Sequence, residues 1–212
     1  RQLLGTEAKL NSSMEKLSSG YRINRASDDA AGLAIANRLR AGVRSLTVAS
    51  RNVTEGKSLL AVAEGSANQI ESILERMKEL ATQAASANAG DDVDKLQAEF
   101  STLIEEIDRI AEDTNYQGDL LLDGSFTGTF QVGAADSLTR GGSSQLNISI
   151  TQDLSSLGLL VNAENISTDA DGAIAAIDAA IDDVGTALGA IGAGMNRLDY
   201  TYSNLQVQIE NF

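Results

Sequence analysis

The sequence predicts a mainly α fold: an elongated antiparallel helical bundle of two N-terminal helices and one C-terminal helix, with a small β-hairpin region. Three observations predict it. An apolar seven-residue repeat runs through 39–84, two further stripes step by alternating threes and fours, and the 212 residues contain no proline. With 42% hydrophobic residues the chain can form one or two modest domains with a real core. Aromatics at 4% favour long helices rich in small residues over an ordinary compact globule.

The first stripe sets Leu39, Leu46, Val53, Leu60, Ala67, Leu74 and Ala81 at one seam position. Gly42, Ala49, Gly56, Ala63, Ile70, Met77 and Ala84 stand three residues after each. It predicts a long helix over 28–88, capped by Asp28 and Asp29 and ended by the small residues at 85–90. Gly42, Gly56 and Gly65 weaken such a helix by about 1 kcal/mol each, so close helix contact should compensate. A second helix over 91–114 carries Val93, Leu96, Phe100, Leu103, Ile107 and Ile110 behind Asp91 and Asp92, and should fold back antiparallel on the first. The third, over 166–212, repeats without a skip through Ile174, Ile177, Ile181, Val184, Leu188, Ile191, Met195, Leu198, Tyr202, Leu205, Ile209 and Phe212. Between them, 120–160 reads as a β region whose hairpin pairs 128–132 with 145–150. Near the start, Leu3, Leu10, Met14 and Leu17 form a shorter helical stripe, followed by a connector. The opening on Arg1 predicts a trimmed product or an engineered fragment, and the unbroken last stripe predicts more helix beyond Phe212.

Without Cys or His the chain has no disulfide, thiol nucleophile, imidazole base or common zinc ligand. A net charge of −14 argues against nucleic acid, and no run of eighteen apolar residues offers a membrane span. Charge is unevenly spread: residues 1–60 hold ten basic and five acidic side chains, the remainder six and twenty-five. Such polarity could align copies head to tail, or lay a basic first helix on acidic helices of its own subunit.

Chemical motifs are weak. The Gly56-Lys57-Ser58 end of a phosphate loop has Arg51 where its first Gly belongs, and lies inside the helical repeat. A calcium-loop echo at Ser167, Asp169, Asp171, Gly172 and Asp178 starts on Ser and lacks an entering helix, so helix capping is the better account of Asp169 and Asp171. Glu105 with Glu106, and Asp182 with Asp183, could act as acid and base but read as solvated charge on outer faces. The chain reads as a non-enzyme with no cofactor and no metal.

One resemblance is specific. The runs Leu17-Ser-Ser-Gly-Tyr-Arg-Ile-Asn24, Ser27-Asp-Asp-Ala-Ala-Gly-Leu-Ala-Ile-Ala-Asn-Arg38 and Ala49-Ser-Arg-Asn52 are similar to the N-terminal signature of bacterial flagellin. Ala98-Glu-Phe, Glu106-Ile-Asp-Arg109 and Gln131-Val-Gly133 resemble later parts of that half, and Gly194-Met-Asn-Arg-Leu198 with Asn204-Leu205 resembles the C-terminal half. The resemblance implies the helical inner domain of a flagellin with its terminal segments truncated. Residues 1–27 would be a partial inner-tube helix and connector, 28–165 the N-terminal part of the inner domain, and 166–212 its C-terminal helix. It implies a structural subunit of the extracellular flagellar filament that assembles with other flagellin subunits, meets an export chaperone and a cap, and leaves the cell without a cleaved signal peptide. It also implies recognition by a Toll-like innate immune receptor through Arg76, Leu80 and Glu99, and an assembly role for the connector residues Arg22, Arg25, Asp28 and Asp29. The rival is a surface flagellin homologue used for adhesion or glycan binding, which the scarcity of aromatics disfavours.

Overall fold

A computed structural model describes residues 2–86, 92–133 and 144–212. Helix α1 spans Gln2–Ser19, α2 Ala30–Ala84, α3 Val93–Asp113 and α4 Ala170–Asn211; between α3 and α4 lie strands β1 (Asn115–Tyr116), β2 (Asp119–Leu120), β3 (Thr127–Gln131) and β4 (Gln145–Ser149). The long helices start and stop within four residues of their expected bounds over the described stretches. Asp91 and part of the expected turn lie outside the described residues.

Helix α2 is 55 residues long, about 83 Å at 1.5 Å per residue. Asp29 begins it as an N-cap, its carboxylate accepting from the Gly32 amide at 2.9 Å. The expected seam is its buried face: Leu46, Val53, Leu60, Ala67, Leu74 and Ala81 line one row, with Ala49, Gly56, Ala63, Ile70 and Met77 beside them. Helix α4 runs antiparallel along this seam. Lys57 pairs with Asp199, Lys78 with Asp178 at 2.5 Å, and the Gln206 amide donates to Ser50 Oγ at 3.2 Å. Its own cap is Asp169, accepting from Gly172 at 2.9 Å.

The α4 stripe is only half buried. Ile177, Val184, Ile191, Leu198 and Leu205 enter the core, and the second buried row is Ala173, Ala180, Ala187 and Gly194. Ile174, Ile181, Leu188 and Met195 stay partly exposed at the edge, and Tyr202 is exposed. The reason is that α2 is the chief helical partner of α4. Small residues let the two backbones approach closely, and α3 packs against α2 instead.

The β3–β4 hairpin is antiparallel, in the register Gly128 with Ile148 and Phe130 with Leu146. It crosses the α2–α4 pair at two notches. A Cβ on Gly56 would lie 2.9 Å from the Phe130 ring, and one on Gly194 would lie 3.1 Å from Ile148. Asn52 Nδ2 donates to the Gln131 carbonyl at 3.0 Å and holds the hairpin down. Gly56 thus meets the expectation that glycine serves close contact. Gly65 does not, since a Cβ there would meet open space.

A second, smaller hairpin pairs Asn115 with Leu120. Gln117 (φ 56°) and Gly118 (φ 99°) turn it, and two consecutive positive φ values are the requirement of a tight I′ turn. From 150 to 169 the chain returns along α3. The Asp108 carboxylate takes both the amide and the hydroxyl of Ser156 at 2.8 Å, and Gln97 Oε1 accepts from the Ile166 amide at 2.8 Å.

Candidate functional site

None of the chemical motifs assembles into a pocket of reactive groups among the described residues. Arg51 to Ser58 is continuous helix. Asp169 caps α4 while Asp178 is drawn to Lys78 on α2, so the calcium-loop echo is a cap followed by an ion pair. Glu106 is held by Arg109, whose Nη2 lies 2.5 Å away and keeps the carboxyl below its ordinary range. Asp183 accepts from Gln152 at 3.2 Å. No described group of three metal-binding side chains could hold an ion, and no described helix is long and apolar enough to cross a membrane.

What the fold offers is surface. On the α2–α3 side, Arg76 donates from Nε and Nη2 to one Glu99 oxygen at 3.0 and 2.8 Å, and from Nη1 to Glu79 at 2.8 Å. Bonds to Glu99 first, then Glu79, raise the guanidinium further above its ordinary value. Arg76 and Glu99 therefore meet as an exposed, preorganised charged pair. Leu80, one turn further along α2, is 1% exposed and belongs to the core beneath this surface, not to the surface itself. The outer surface at this level is made by Arg76, Glu79 and Glu99.

The connector is tied together locally. Asp28 accepts from the amides of Arg25 at 3.1 Å and Asn24 at 3.2 Å, and those two bonds, Arg25 first, hold its carboxyl below the ordinary range. Lys16 stands 3.6 Å from it. Arg25 reaches back to Glu15 on α1 at 2.9 Å, while Asp29 is spent on the α2 cap. Arg22 is exposed and makes no ion pair among the described residues. The α1 stripe is open: Leu3, Leu10, Met14 and Leu17 are all exposed.

Along the other side of α2 and α4, Thr54, Lys57, Ser58, Ala61, Met195 and Tyr202 line an open groove of about 510 Å³. Val48 and Val62 add exposed apolar area to α2. The spacing of large apolar residues could not reveal this groove, because it counted the half-exposed α4 row as core.

Residues 1–127 match the family described as the bacterial flagellin N-terminal helical region. This chain belongs to the bacterial flagellin family. It is 43% identical over 203 residues to a flagellin of Halalkalibacterium halodurans, covering 93% of this chain and 72% of that one. To a flagellin of Bacillus subtilis it is 37% identical over 232 aligned positions, covering 93% and 75%. The crystal structure of Bacillus cereus flagellin superposes with a TM-score of 0.61 at 28% identity, over 73% of this chain and 88% of that one. The protein is accordingly a structural subunit of the extracellular flagellar filament, with other flagellin subunits as partners. A structural family also fits the non-enzymatic reading of its residues.

Proposed function

We propose that this flagellin builds the filament wall through the open sides of its α2–α4 rod and, in addition, serves as a ligand of a Toll-like innate immune receptor through the surface around Arg76 and Glu99. The observation that carries the assembly reading is the apolar edge of the rod, where Val48, Val62 and Tyr202 are exposed without use to a lone subunit. The connector 22–29 belongs to the same reading: a joint braced by Arg25 and Asp28 would set the angle between α1 and the rod. An export chaperone and a filament cap complete the partners proposed. On this reading residues 1–27 form the inner-tube part, 28–165 the first inner-domain part and 166–212 its closing helix.

Receptor recognition is supported by the rigidity of the Arg76–Glu99 pair, which spares a partner much of the cost of ordering two long side chains. Leu80 supports that surface from beneath. Arg76→Ala should lower the response of receptor-bearing reporter cells by at least about tenfold, with helicity unchanged by circular dichroism. An unchanged response would remove the receptor half of the proposal. The assembly half is tested by electron microscopy of the full natural chain after seeding, with absence of filaments counting against it.

A further inference from the structure

Arg40, Arg44 and Arg51 lie on one outward stripe of α2, spaced by four and seven residues, and all three are exposed. None makes an ion pair among the described residues; Arg40 alone has a partner, the Tyr21 ring 5.0 Å from its guanidinium carbon. Within the subunit, the last turns of α4 offer this stretch of α2 only Asp199 and Glu210, and Asp199 is taken by Lys57. On α4, Asp171, Asp178 and Asp182 are also exposed and form one outward stripe, spaced by seven and four. Asp178 is shared with Lys78, whereas Asp171 and Asp182 have no ion pair among the described residues. Read in opposite directions the two spacings coincide.

We propose that these stripes meet between successive flagellin copies, Arg40 beside Asp182, Arg44 beside Asp178 and Arg51 beside Asp171 of the next subunit. The proposal rests on the filament reading above and names the groups through which one copy would recognise the next. Orientation favours it. Because α2 and α4 are antiparallel within a subunit, two copies related by simple translation bring α2 of one against α4 of the other antiparallel, which is the sense the mirrored spacing requires. Within one subunit the Lys78–Asp178 pair puts Asp171 at the level of residue 85, just past the end of α2, and in the contact it would face Arg51. The copies are therefore displaced by about 34 residues of helix, roughly 51 Å. Different surfaces meet, so the contact does not close on itself and repeats into an open strand. Gly185 and Gly189 continue the acidic stripe with open space where a Cβ would stand, so the neighbour can lie close.

The test uses the full natural chain and charge reversal. R40E/R51E and D171K/D182K should each polymerise at least about tenfold more slowly than the unchanged protein. An equimolar mixture of the two should recover, because alternating copies then present opposite charges at every contact, and its filaments should show a subunit translation near 51 Å. The neutral variant R40Q/R51Q, which leaves the helix undisturbed, should show a smaller loss of the same sign. Reversals that polymerise normally overturn the contact, as does a folded mixture that fails to recover. If the unchanged chain forms no filament, the filament reading falls and the contact with it; if it does and the reversals are silent, only the contact falls.

Discussion

Leu60→Ala should lower the unfolding free energy of the subunit by about 3 kcal/mol, near the middle of the range for emptying a sealed leucine site. Leu60 is wholly buried where α2, α4 and the β3–β4 hairpin come together; its Cδ1 would lie 3.1 Å from a Cβ on Gly194, itself beside Ile148. The hole cannot close easily. Across the seam it meets Gly194, which has no side chain to swing in, and the hairpin above is pinned by Asn52. Urea unfolding followed by far-ultraviolet circular dichroism measures the effect. A midpoint shift equivalent to less than about 1 kcal/mol at constant slope would mean that the crossing is not sealed.

The second large effect comes from filling a notch. Gly56→Val puts a branched side chain where even a Cβ stands 2.9 Å from the Phe130 ring, so the ring must leave or α2 must bend. Overpacking of this kind costs about 1 to 3 kcal/mol and outweighs the gain of about 0.5 kcal/mol from removing a helical glycine. The damage should be local, with hydrogen exchange accelerated in β3 and β4 while amides of α2 facing α4 keep their protection. Gly65→Ala is the control. With nothing within 4 Å of the new methyl, it should stabilise by about 0.5 to 1 kcal/mol. If both substitutions destabilise alike, the notch account fails.

Much of the fold was legible because helical periodicity speaks directly about burial. The α2 seam from Leu46 to Ala81 was readable residue by residue, and so were the two strands of the larger hairpin to within a residue, though not their register. The α4 stripe was legible only in part. Periodicity finds the large apolar residues, but Ile181, Leu188 and Met195 would enter a core only if a third helix covered them, and α3 sits elsewhere. That choice depends on how closely two backbones can approach, which is decided by Ala180, Ala187 and Gly194. The β1–β2 hairpin escaped because strands of two residues have no measurable alternation. Its one clue was the Gln117–Gly118 pair.

The surfaces were harder to read. Arg76 and Glu99 are 23 residues apart, and nothing in their spacing says that they touch; only the return of α3 along α2 joins them. Leu80 flanks the seven-residue seam, and a residue in that position is buried or exposed according to which neighbour covers that flank. The arginines at 40, 44 and 51 were visible as an excess of positive charge, while their lack of ion pairs among the described residues emerged only once α4 was laid against α2.

Repeating seams carry a hazard that the hairpin answers. Two helices with a seven-residue period can slide past each other by one period, about 10 Å, and present nearly the same apolar row. After such a slip the hairpin could keep its seat on only one helix: either the Phe130 ring would sit over Ala49 or Ala63, where a methyl occupies the hollow it needs, or Ile148 would face Ala187 or Thr201 in place of Gly194. The crossing strands thus work as a bolt through a ratchet: they leave one tooth in which the rod can rest, so every subunit in a long polymer is held to the same length.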